Sequence, residues 1–144
     1  MIGKILELVT KLKKDEQGQS IVEFALVLPI LLLIVLAIME FGWLFNGHIL
    51  VTSSAREGAR VAAVSNVQEE IISAVQEHVS GTAVTVQEIK VTRPTDGEEG
   101  AISGAVVVTV TATMEPLVGF FVAGPYEITQ RATMRQELRF DTGN

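Results

Sequence analysis

The chain has no cysteine among its 144 residues, which excludes disulfides and thiolate metal sites. Cations are scarce as well: 11 lysines and arginines stand against 17 aspartates and glutamates, giving a formal net charge of −6. Phosphate backbones are bound by clustered Lys and Arg, so this balance argues against nucleic acid as a partner. Histidine is limited to His48 and His78, with no carboxylate at ligand spacing, and both read as exposed helix residues; no metal and no cofactor is expected. Asp96, Glu98 and Glu99 cluster between glycines but miss the spacing of a calcium loop, so they read as a solvated acidic turn. There is no phosphate-binding glycine loop and no nucleophile elbow. Neither an enzyme nor a small-molecule substrate is expected.

What the chain does have is one long apolar run, Ile21 to Phe45, with sixteen uncharged residues between Glu23 and Glu40. At about 1.5 Å rise per residue the run is roughly 37 Å long as a helix, enough to cross a bilayer. Nothing else in the sequence is apolar enough to surround such a segment in a soluble core. A membrane helix leaves room for one small extramembrane domain. Lys4, Lys11, Lys13 and Lys14 precede the run, while Arg56 and Arg60 are the basic residues soon after it. This bias places the N-terminus in the cytoplasm and the C-terminal domain outside the cytoplasmic membrane, in a single pass.

Ahead of the run, Ile2, Ile5, Leu6, Val9 and Leu12 recur at helical spacing among lysines, which predicts a short amphipathic helix. Ordinary signal cleavage near Ser53 and Ala55 fits poorly, because the apolar run is too long and ends too early. The junction Gly18-Gln19-Ser20-Ile21-Val22-Glu23-Phe24 is more telling: a glycine closes a charged leader, and a glutamate follows five residues on. This pattern resembles the class III signal of the type IV pilin superfamily, and the Glu-Phe pair resembles its Flp variant. Together with EFALVLPILLLIVLAIMEFGWLF and the following SAREGARVAAV, the block from Gly18 to about Val64 is similar to the TadE/TadG-like pseudopilins of the tight-adherence (Tad, or Flp) pilus system. The resemblance implies cleavage by a prepilin peptidase between Gly18 and Gln19. It also implies an assembly role for Glu23 and Phe24, with sister pilin subunits and the pilus assembly machinery as partners.

A carboxylate in hydrocarbon costs about 2.5–3.5 kcal/mol at the helix centre and less near an end. Glu23 therefore wants a cation. Cleavage after Gly18 creates one, the α-amine of Gln19, with a pKa near ~8. A neighbouring subunit shifted along the helix axis brings that amine to Glu23, making a register-setting ion pair; the competing reading is a glutamate that snorkels to the interface. Pro29 removes a backbone donor, so a kink or loosening is expected over residues 25–29, either to help the helix leave the bilayer or simply as a tolerated membrane proline. Glu40 falls about 260° around the helix from Glu23. It is expected near the outer headgroups, solvated or lipid-facing, with Trp43 and Phe45 as an aromatic belt.

Helical spacing continues from Asn46 to Ser80, predicting a stalk helix with an apolar stripe through Val64, Val67, Ile71, Val75 and Val79. Ala55, Gly58, Ala59 and Ala62 allow close helix packing, within the domain or against a sister subunit. Arg56, Glu57 and Arg60 read as a solvated face. Three strand-like runs follow: Ala83–Thr92, with a bulge expected at Gln87 and Glu88; Gly104–Met114; and a last run from Tyr126 to Phe140. A polar loop, residues 94–104, joins the first two. In the second run Val106, Val108, Val110, Ala112 and Met114 alternate with Val107 and threonines. The apolar face needs a cover, and the stalk is the element available. Glu115–Pro125 reads as an apolar loop that fills the open end of the core, with an exposed contact surface as the alternative.

The fold class expected is thus α+β: a long N-terminal transmembrane helix continuing into a stalk helix packed on a small three-stranded antiparallel sheet. The domains expected are a leader over 1–18, a membrane helix over 19–45, a stalk over 46–80 and a β domain over 81–144. Two functions fit: a pseudopilin or minor pilin of a Tad-type pilus, or a permanent single-pass anchor for a small extracytoplasmic binding or sensing module.

Overall fold

The computed structural model describes residues 16–93 and 104–136. The leader helix, the acidic turn at Asp96–Glu99 and the strand continuation through Leu138 and Phe140 lie outside them. The chain divides into two compact units, Met1–Met39 and Glu40–Asn144.

In the first unit, helix α1 (Glu16–Val64) runs unbroken through Pro29. Its apolar side chains point outward all round: Leu26, Ile30 and Ile34 are each more than half exposed, and none of the most apolar window is buried within the fold. This helix, apolar on every side and uncovered by the other described residues, is long and apolar enough to cross a membrane.

The second unit holds the rest of α1, helix α2 (Gln68–Val79), and strands β1 (Val84–Thr92), β2 (Ala105–Met114) and β3 (Tyr126–Arg135). The sheet order is β1-β2-β3 with both pairings antiparallel. Alternation places Val106, Val108, Val110, Ala112 and Met114 of the central strand on one face, all at most 1 % exposed. Val107, expected on the polar side, is buried too. The register of β1 on β2 slips between Val86 and Glu88, the position of the expected bulge, and there Gln87 donates a hydrogen bond to Thr113 (2.9 Å).

One core joins this face to both helices: Val51, Ala55, Ala59, Ala62 and Ala63 from α1, Ile71, Val75 and Val79 from α2, and Ile128 from β3. Burying a side chain the size of Ile71 contributes about 1.5–3 kcal/mol. The small residues of α1 set the spacing. A Cβ at Gly58 would stand 2.6 Å from Cγ2 of Val75 and 3.3 Å from Cγ1 of Val108, so α1, α2 and β2 meet there with no room for a methyl. At the other end of the sheet, Met114 and Ile128 close over Gly47.

The stalk is two helices where one was expected. The α1 helix ends at Val64, and Val64 and Val67, placed on the stripe by sequence, are 60 % and 49 % exposed. The Ser65 hydroxyl explains the break: it accepts the Val67 amide (3.1 Å) and donates to Glu70 (2.6 Å), offering the backbone a local alternative to the helical ladder. Arg93, just after β1, donates to the Ser65 carbonyl (3.2 Å). Glu69 and Glu70 in the first turn of α2 oppose its dipole favourably, and Gly81, at φ 74, follows its end. Glu57 and Arg60 pair on the outer surface of α1, as expected of a solvated face; the hydrogen bonds from Arg60 hold the Glu57 carboxyl below its ordinary range.

Gly58→Leu is expected to destabilise the folded unit by about 1–3 kcal/mol through overpacking against Val75, a stiff β-branched side chain. Gly42→Ala, where an added methyl meets nothing within 4 Å, should not. Thermal unfolding of the two detergent-solubilised variants, followed by circular dichroism, checks the contrast.

Candidate functional site

Two sets of residues stand out, one on each unit. The first lies on the opening turns of α1. Gly18 is half-buried, and Gln19, Glu23 and Phe24 are exposed on the helix. The Gln19 side-chain amide donates to Glu23 Oε1 (3.1 Å) across one helical turn. A donor at position 19 therefore reaches this carboxylate from i−4, and both groups face outward, where a second chain has access.

The second set fastens the loop between β2 and β3 to α1. Glu40, expected in solvent or lipid, is 1 % exposed. Its Oε2 accepts the backbone N–H of Val118 (2.8 Å), and Oε1 is buried with no hydrogen-bond partner among the described residues. One turn on, the Trp43 indole N–H donates to the carbonyl of Glu115 (3.1 Å), so Trp43 holds the loop as well as standing at the end of the apolar run. Sequence reasoning missed Glu40 because its partner is a backbone amide 78 residues away, a pairing with no local signal. The loop itself does not fill the open end of the core, the place its composition suggests; it is an exposed surface, the alternative. Leu117, Val118, Phe120 and Phe121 are 46, 45, 67 and 41 % exposed, and the two phenylalanine rings pack edge to face on each other at 5.2 Å.

The small-residue set Ala55, Gly58, Ala59 and Ala62 is buried against α2 and the sheet of its own domain, the first of the two packing partners considered for it. His48, expected to be exposed, is half-buried, with its ring edge-on to Tyr126 at 5.7 Å and Nδ1 3.4 Å from Nε2 of Gln130. His78 is exposed in the last turn of α2. Among the described residues no group of three His, Asp or Glu side chains converges on one point. The arrangement offers helix surface, the outward carboxylate of Glu23 and an apolar loop, which suit contacts between chains or with lipid.

No curated protein and no solved structure matches the chain. A family model described as TadE-like protein matches residues 18–60, a span that opens on Gly18, takes in Glu23, Pro29 and Glu40, and closes at Arg60, before the break at Ser65. Over that segment the chain is similar to TadE-like proteins, in line with the resemblance carried by its residues.

Proposed function

We propose that the chain is a pilin-like subunit, a pseudopilin or minor pilin, that assembles or primes a Tad-type pilus. The observation that carries this reading is the family match, which begins at Gly18 and covers the whole apolar run. It associates the chain with Tad pilus components, a structural class of protein, and with a membrane. In this reading the chain is made with residues 1–18 in the cytoplasm and residues 46–144 outside, and prepilin peptidase cuts between Gly18 and Gln19.

Cleavage gives Gln19 an α-ammonium group. In the monomer the Gln19 side-chain amide satisfies one oxygen of Glu23. In the assembly a neighbour's ammonium takes up the carboxylate, a stronger partner because both groups are charged. The pair fixes the axial register between adjacent helices. Phe24, 62 % exposed beside it, packs in the same interface. Pro29 leaves the Ala25 carbonyl without its helical donor, a point at which α1 bends as it passes from lipid into a bundle.

Intact-mass measurement on protein from native membranes should find a chain that begins at Gln19. A full-length chain in the presence of active prepilin peptidase contradicts the reading. Glu23→Leu should insert and be processed normally yet lose co-purification with sister subunits by at least tenfold, whereas a permanent anchor would tolerate the change. Quantitative pull-down from matched membrane preparations measures this.

A further inference from the structure

The loop after β2 follows α1 toward the end of the helix that meets the membrane. Met114, the last residue of β2, lies against Gly47; Glu115 is bonded to Trp43; Val118 is bonded to Glu40. Each step along the loop falls about one turn further back on α1. The chain then turns at Gly119 (φ 72), exposes Phe120 and Phe121, and returns to Tyr126 beside His48. Residues 116–126 contain no charge.

The depth of this tip follows from the helix. A hydrocarbon core of about 30 Å takes about 20 residues of untilted helix, and tilt lengthens the immersed stretch. Counted from Glu23, the far boundary falls at or after about residue 43. Glu40 is at or just inside that boundary, and so is the amide bonded to it. This explains why a carboxylate there is sheltered: the loop covers it from lipid and supplies a donor where water is scarce.

We infer that loop 116–125 is a membrane-inserting element, with Leu117, Val118, Phe120 and Phe121 seated in the headgroup region and the adjoining edge of the hydrocarbon around α1. The occupant of this exposed apolar surface is phospholipid. The surface is bonded to Glu40 and Trp43 at the end of the apolar run, is uncharged, and carries aromatic rings at the level where amphipathic and aromatic side chains prefer to sit. The inference rests on reading α1 as membrane-spanning. It gives the folded domain a second attachment to the bilayer besides α1, and so holds it against the membrane face.

The absence of cysteine makes the test specific. Single variants Phe121→Cys, Leu32→Cys and Arg131→Cys of the full chain, all at exposed positions, are spin-labelled and reconstituted in phosphatidylethanolamine/phosphatidylglycerol vesicles. Power saturation then compares accessibility to oxygen, which partitions into lipid, with accessibility to an aqueous nickel chelate. The label at 121 should give an oxygen-to-nickel ratio severalfold above that at 131 and approaching that at 32. A lipid-like ratio at 32 with an aqueous ratio at 121 overturns the loop inference alone. An aqueous ratio at 32 overturns the membrane-spanning reading and the inference with it. Shielding of 121 from both reagents, with spin–spin broadening that grows with protein-to-lipid ratio, also overturns it and assigns the loop to a second copy.

Discussion

An ionisable side chain on a membrane helix needs a partner, because hydrocarbon offers neither water nor counterion. The apolar stretch of α1 carries two acids, Glu23 and Glu40, in different surroundings. Glu40 is enclosed by its own domain and bonded to Val118 of the loop. Glu23 is left outward, supported by a neutral amide one turn away. The enclosed acid ties the β2–β3 loop to α1, and the open one faces outward.

The domain is built to make that tie rigid. Gly58 and the alanines let α1 lie close over α2 and β2, and on the other face of the central strand Thr109, Thr111 and Thr113 stay half-buried. The β2–β3 loop then leaves the sheet at Met114 already against the helix. Trp43 and Glu40 need only two hydrogen bonds to direct it, because the packed sheet has fixed where it starts.

Much of this was legible in the residues themselves. The period-2 pattern of Val106 to Met114, the slip at Gln87 and the uncharged run all carry local signals, and each matches the structure. The break at Ser65 did not show, because Val64 and Val67 continue an apolar spacing and neither Gly nor Pro marks the turn; a serine hydroxyl makes it. Glu40 and the 115–125 loop were misread for a related reason. An acid beside an aromatic belt looks solvated, and an apolar loop looks like core, until the long-range contact between them is known. The small-residue set showed that a close approach takes place on α1; it did not say whether the facing helix belongs to the same chain.

The central claim is that Glu23 is neutralised in the assembly by the processed N-terminus of an adjacent subunit. It is tested most directly by solid-state NMR on pili or complexes mixed from two preparations, one with ¹⁵N at the Gln19 α-amine and the other with ¹³C at the Glu23 carboxylate. Dipolar recoupling should place the two nuclei within about 4–6 Å across the subunit boundary, the range of a direct opposite-charge contact. An assembly in which the Glu23 carboxylate shows no coupling to any neighbour's amine would contradict the account.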